Sequence, residues 1–103
     1  MRLRLARPTD EPAIRALATE HGVELDALQL ERLLRFDSGR IVICATALVG
    51  ADEVFAGVGA IELRSGAEPE PVLADERLTE GLGELLAAAL AGRADALTRF
   101  RAA

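Results

Sequence analysis

The stretch RIVICATALVGADEVFAGVGAIEL, from Arg40 to Leu63, predicts the centre of the fold. Residues 40–49 and 54–63 are almost wholly apolar, as is typical of strands that are covered on both faces. The turn-forming sequence GADE separates them, so we expect an antiparallel β-hairpin. Gly57 and Gly59 in the second strand predict a β-bulge or the close approach of another element.

The segment before the hairpin predicts one strand and two helices. RLRLAR, residues 2–7, alternates with period two, which is typical of a strand with its leucines on a core face and its arginines in solvent. RPTD interrupts this strand, and Thr9 or Asp10 is placed to cap a helix that runs to about Glu20. Apolar residues at helical spacing predict a second helix at about 25–36.

The segment after the hairpin predicts a brief strand and another helix. VLAD, residues 72–75, is short and apolar enough for an edge strand. Leucines at helical spacing predict a helix from Leu78 to Leu90, with Gly92 placed to end it. ADALTRF, residues 94–100, predicts a last short helix. The predicted order is β-α-α-β-β-β-α, an α/β fold whose small mixed sheet is mostly antiparallel and has helices on both faces.

Composition excludes several classes of function. The 103 residues suit one domain, and the net charge of -5 argues against nucleic-acid binding, which needs a basic surface. We find no apolar run of about 20 residues that would span a membrane, and no signal peptide at the N-terminus. Cys44 lies in an apolar run, so we expect a buried, reduced thiol in a cytoplasmic protein. With one cysteine and one histidine, we expect no zinc site within the chain.

The element order resembles the first half of the GNAT superfamily of N-acetyltransferases. LRLARPTDEPAIRALA is similar to the opening strand, turn and helix of that family, and the hairpin stretch resembles its central strands. VLADERLTEGLGELLAAAL is similar to its fourth strand, cofactor loop and third helix. The resemblance covers nearly the whole chain. It implies one truncated GNAT-like domain over residues 1–103, and acyl transfer from acetyl-coenzyme A to an amine on a small molecule or a protein.

The resemblance also implies a cofactor loop before the last long helix. In the family, the pattern Arg/Gln-x-x-Gly-x-Gly/Ala binds the pyrophosphate of acetyl-coenzyme A, because amides at a helix N-terminus hold an anion. Gly81 and Gly83 match the two small positions, whereas Leu78 stands where the Arg or Gln is expected and Arg77 is one residue out of register. The implied cofactor-binding residues are Leu73, Arg77, Thr79, Gly81, Leu82 and Gly83.

The charges around this loop oppose phosphate binding. Residues 68–84 contain six acids and one arginine, a sum of -5 that equals the net charge of the whole chain. A carboxylate about 6 Å from a phosphate costs roughly 1–3 kcal/mol at intermediate dielectric. We therefore expect weak or absent binding of acetyl-coenzyme A, and an acetyltransferase activity that is weak or lost. The alternative is a non-catalytic binding or regulatory module, or a subunit of a larger acetyltransferase assembly.

Candidates for a catalytic base are weak. Glu70 and Asp75 lie near the strands where a base would act on the acceptor amine, and Glu62 is a third possibility. The competing interpretation is that all three are surface carboxylates. His21 lies between the first two predicted helices, where a helix-terminal role competes with a catalytic one. The family's tyrosine acid has no counterpart, since the chain contains no tyrosine.

The predicted edge of the sheet suggests self-association. A sheet that stops at a short strand leaves unpaired backbone groups, which invite pairing with another chain. We therefore expect a homodimer with Leu97 and Phe100 near the contact. The competing possibility is that residues 94–100 fold back onto their own chain.

Overall fold

The structure, a computed structural model, describes residues 1–20, 39–64, 66–70 and 73–102, with side chains up to position 97. The strands in these residues are β1 (Arg2–Leu5), β2 (Arg40–Val49), β3 (Asp52–Glu62) and β4 (Leu73–Ala74). They form one sheet in the order β1-β2-β3-β4, and every neighbouring pair is antiparallel. The α-helices of the same part of the chain are α1 (Glu11–Glu20) and α2 (Leu82–Ala102). The predicted α/β class is confirmed, but the described strands form a wholly antiparallel sheet, whereas the sequence predicts a mixed one.

The predicted hairpin is present as β2 and β3. The two strands pair from Arg40 opposite Glu62 to Val49 opposite Asp52, so β3 begins two residues earlier than the sequence predicts. Gly50 in the connecting turn has a φ of 66°, a conformation that glycine adopts without steric cost. The pairing shifts between Ala45 and Thr46, and β3 has one extra residue there. The predicted bulge is thus confirmed.

The helices cover opposite faces of the sheet. Alternate residues of β2 point to opposite sides, and Val42 and Cys44 pack with Ile14 and Leu17 of α1. The intervening Ile41, Ile43 and Ala45 pack with the leucines of α2. Helices on both faces, as predicted from the order of elements, therefore sandwich the sheet.

The buried stripe of α2 fixes this helix against the centre of the sheet. Leu82, Leu86 and Leu90 have no solvent exposure. At Gly57, a Cβ atom would lie 2.7 Å from Cδ1 of Leu86 and 2.9 Å from the backbone oxygen of Leu73. Only a glycine allows this approach, so the glycine-rich strand serves close packing of α2 and β4 against β3.

Three predictions about this part of the chain are wrong. The helix begins at Leu82, because Gly81 has a φ of 76° and breaks the helical conformation of the preceding residues. Gly92 does not end it, and residues 94–100 form no separate helix, since α2 continues to Ala102. A single glycine costs a helix only about 1 kcal/mol, and the flanking alanines and leucines favour continuation.

The leucines of β1 are not on a buried core face, contrary to the sequence pattern. Leu3 pairs with Ala45 and Leu5 with Ile43, which places both on the α2 side of the sheet. They are nevertheless 36% and 56% exposed, whereas Arg4 is partly buried. The leucine side of this edge strand is uncovered because α2 packs over β2 and β3. The predicted second helix, 25–36, lies outside the described residues, as does His21.

Candidate functional site: the loop between β4 and α2

The bulge in β3 determines where the loop leaves the sheet. The backbone N–H of Asp75, directly after β4, donates to the carbonyl of Ala56, the extra residue of the bulge, at 2.7 Å. The carbonyl of Asp75 in turn accepts the N–H of Leu78 at 3.1 Å. The start of the loop is therefore held by backbone hydrogen bonds to the middle of the sheet.

Asp75 and Arg77 form a charged cluster with Glu20 at the end of α1. The buried carboxylate of Asp75 accepts hydrogen bonds from the backbone N–H of Arg77 at 3.1 Å and from its guanidinium at 3.0 Å. The same guanidinium donates to Glu20 at 2.6 Å. Hydrogen bonds to Asp75 and then to Glu20 raise the pKa of Arg77. The cluster ties the loop to α1, and both partners of this arginine are carboxylates of its own chain.

Gly81 lies directly before α2, and Gly83 lies in the first turn of the helix. The N–H of Leu82 donates to the carbonyl of Thr79 at 3.2 Å, and the N–H of Leu85 donates to the carbonyl of Gly81 at 3.0 Å. A Cβ atom at Gly81 would have no heavy atom of the described residues within 4 Å. The left-handed φ of Gly81 turns the chain into the helix, so this glycine serves the turn rather than a close contact.

The amide of Gly83 is engaged by a carboxylate of the same loop. Its N–H donates to Oε1 of Glu76 at 3.4 Å, in a solvent-exposed position. A carboxylate at a helix N-terminus is favoured by the unpaired amides and by the helix dipole. The bond is long for an N–H···O contact and therefore weak. Glu76 thus stands at the amide of Gly83, one of the two glycines that match the small positions of the family's cofactor loop.

The other residues that the sequence suggests for the cofactor or for catalysis are spread over both faces of the sheet. Leu73 is buried on the α1 side and Leu82 on the α2 side, so their side chains lie in separate parts of the core. Glu70 is bonded through its backbone N–H to Ala60, toward the opposite end of β3 from Asp75. Its carboxylate pairs with the buried Arg40 at 2.6 Å. The structure therefore brings Asp75 and Arg77 together and leaves Glu70 at a different place.

The sequence pattern missed two features of this loop. Glu76 appeared only as one of several acids, because nothing in its spacing from Gly83 resembles a standard capping pattern. The pairing of Arg77 with Glu20 joins residues that are far apart in the chain, and no local pattern reports such a pair. Glu62, the third catalytic candidate, lies exposed at the end of β3 and pairs with Arg64.

A second charged cluster lies where β1 meets α1. Arg4 donates two hydrogen bonds to the carboxylate of Asp10, at 2.8 and 2.9 Å, and the backbone N–H of Arg7 donates to it at 2.6 Å. The bond from Arg4 is the main cause that lowers the pKa of Asp10. Asp10 ends a short 3₁₀ turn, Pro8–Asp10, that leads into α1. Asp10 therefore closes the turn before α1 by accepting the amide of Arg7, whereas the sequence predicts Thr9 or Asp10 as a cap on the helix itself.

Cys44 lies opposite Arg4 in the pairing of β1 with β2 and is fully buried. Burial raises the pKa of its thiol. Within the described ranges, no group of three or more histidine, cysteine or acidic side chains is placed to hold a metal ion. None of the helices in the described part of the chain has both the length and the apolar character that a membrane span requires.

Comparisons with known proteins give no relative for the chain. It matches no protein-family model, no curated protein and no solved structure.

Proposed function

We propose that this protein is a GNAT-like, acetyltransferase-related module that binds acetyl-coenzyme A weakly and has little or no transfer activity. The observation that carries the proposal is the hydrogen bond from the amide of Gly83 to the carboxylate of Glu76. A phosphate at the same amide has to displace this carboxylate and tolerate its charge. The predicted order of strands and helices supports the GNAT-like part of the proposal.

The charges near the loop support weak binding. Glu80 and Glu84 are exposed on either side of the two glycines. The guanidinium of Arg77, the nearest basic group along the chain, is bonded to Asp75 and Glu20. A bound pyrophosphate would therefore meet more negative than positive charge, and solvent screening reduces this penalty without reversing it.

A non-catalytic binding or regulatory module is the second candidate, and the pairing of Glu70 favours it. A carboxylate that acts as a general base has to be deprotonated, and it has to lie within reach of the proton on the acceptor amine. The carboxylate of Glu70 is instead bonded to Arg40, whose side chain is buried. In this role Glu70 holds the loop at 66–70 against β2.

Titration with acetyl-coenzyme A, followed by amide chemical shifts in NMR, tests the main proposal. For the unmodified protein we expect a dissociation constant of about 1 mM or weaker, which corresponds to roughly -4 kcal/mol. Glu76→Gln removes the charge with little change of shape, and we expect it to strengthen binding about three- to tenfold.

Glu68→Gln is the matched control, because it removes the same charge from an exposed position beside Glu70. Binding that improves equally in both variants would show that net charge, and not the contact with Gly83, limits affinity. Low-micromolar binding by the unmodified protein would contradict the proposal. An accompanying assay of free coenzyme A release with simple amines separates weak transfer from a purely binding role.

A further inference from the structure

The outward side of α2 carries an apolar surface that the sheet does not cover. Between Glu84 and Arg93 no residue is charged. The stripe Leu82, Leu86 and Leu90 faces the sheet, and a second set of residues with helical spacing lies about a third of a turn away. This second set, here called the α2 seam, consists of Leu85, Ala89, Gly92 and Ala96.

The α2 seam is accessible in one chain. Leu85 is 41% exposed, and Gly92 and Ala96 are exposed. A Cβ at Gly92 would meet no heavy atom of the described part of the chain within 4 Å, so the space beside it is open. A helix with apolar residues on more than one side is usually covered on each of them.

The spacing of the seam makes it complementary to itself. A two-fold axis near the middle of the seam, between Leu90 and Ala91, would run two copies of α2 antiparallel. Leu85 then lies opposite Ala96 of the second copy, and Ala89 lies opposite Gly92. Each larger side chain faces a smaller one, as a two-fold interface of this kind requires.

The charges along α2 favour the same antiparallel arrangement. Glu80 and Glu84 lie just before the helix and in its first turn, whereas residues 93–101 carry three arginines and one acid, Asp95, a net charge of +2. Arg99 follows Glu84 by about four turns, so both backbone positions lie on the same flank of the helix. Antiparallel pairing brings the acidic end of each helix beside the arginine-containing end of the other.

We propose that the α2 seam is the interface of a homodimer in which two copies of α2 pack antiparallel. The edges of the sheet are less suitable for a second copy. β4 has only two residues, and Arg2, Arg4 and Arg7 around β1 would approach their own copies in a two-fold pairing. The dimer is independent of the proposed function, because it involves neither Glu76 nor Gly83.

Light scattering across a concentration series, from about 10 µM to 1 mM, tests the interface, whose modest size predicts weak association. We expect the mass to rise from one chain toward two. Gly92→Arg should keep the mass at one chain, since the arginine enters the seam. Ala91→Arg is the matched control, because the neighbouring exposed position points to a different side of the helix and should leave the dimer intact.

A charge exchange tests the direction of packing. Glu84→Arg and Arg99→Glu should each weaken the dimer, and the double variant should restore it. Circular dichroism verifies that each variant retains its helix, and Gly92→Arg is expected to favour the helical state. A mass that stays at one chain up to 1 mM overturns the proposal. A dimer that persists in Gly92→Arg also overturns it and points to a sheet edge.

Discussion

The two helices begin with a carboxylate of their own chain, but in opposite environments. At α1, the buried carboxylate of Asp10 accepts a short bond from the amide of Arg7 and two bonds from Arg4. At α2, the exposed carboxylate of Glu76 accepts one long bond from the amide of Gly83. The first junction pairs opposite charges in a mostly buried position, whereas the second is a single bond exposed to solvent. The same chemical group thus supports structure at one helix, and at the other it is the group that the proposed phosphate would have to displace.

The largest expected effect on stability comes from the buried leucines that hold α2 against the sheet, because the bond at its first turn is weak. Leu86→Ala should lower the free energy of unfolding by about 2–5 kcal/mol, because Leu86 is fully buried against Gly57 and its neighbours. Chemical denaturation measures this loss. Leu85→Ala, one position along and exposed, is the control and should cost less than about 1 kcal/mol. Equal losses in the two variants would mean that the leucine stripe does not anchor the helix.

The next largest loss of stability is expected at the pair of Arg4 and Asp10, where β1 meets α1. Asp10→Asn should lower the free energy of unfolding by about 1–3 kcal/mol, because Arg4 then loses its charged partner. Glu11→Gln, which removes an exposed carboxylate paired with Arg15, is the matched control and should cost under about 0.5 kcal/mol. A loss at Asp10 no larger than the loss at Glu11 would remove the distinction between a buried and an exposed pair.

The same carboxylate predicts how stability depends on pH. The pKa of Asp10 is lower in the folded protein than its ordinary value of about 3.9. The stabilisation is therefore complete above that value and is lost as the pH falls through the lower, folded pKa. Denaturation between about pH 2 and 6 should show this loss in the unmodified protein and a smaller one in Asp10→Asn. Parallel curves for the two proteins would contradict the assignment.

The smallest expected effect on stability belongs to Glu76. Glu76→Gln should change the free energy of unfolding by less than about 0.5 kcal/mol, since the bond to Gly83 is long and exposed. Denaturation of this variant, compared with Asp10→Asn, tests the contrast between the two helix starts directly. A loss comparable with that at Asp10 would make Glu76 a structural cap and weaken the case for displacement by a phosphate.

The parts of the fold that the sequence predicts are those set by local pattern. The apolar runs on either side of a glycine-containing turn predict β2 and β3 to within two residues. Gly57 predicts either a bulge or a close neighbour, and the structure has both beside it. The prediction that Gly92 ends the helix is wrong, because a glycine ends a helix only when the chain adopts a suitable conformation there. In this chain Gly81 has the left-handed conformation, and Gly92 does not. The exposure of Leu3 depends on how far α2 reaches across the sheet, which strand periodicity does not report.

The candidate site also has features that the local sequence predicts and features that depend on tertiary packing. The loop, its two glycines and its excess of acid follow from composition and spacing. The pairings of Arg77 with Glu20 and of Arg40 with Glu70 depend on tertiary packing, and they join residues that are distant in the chain. These pairings occupy groups that the sequence left available for a cofactor or an acceptor.

The long hairpin also determines the order in which the sheet is expected to assemble. β2 and β3 are joined by a two-residue turn and pair over the full length of β2, so little chain entropy is lost when they meet. β1 has to join β2 across roughly 35 intervening residues, and this larger loop costs more entropy to close. The hairpin should therefore form early and exchange its amide protons most slowly. β1, with its exposed leucines, should be the strand from which local unfolding of the sheet begins.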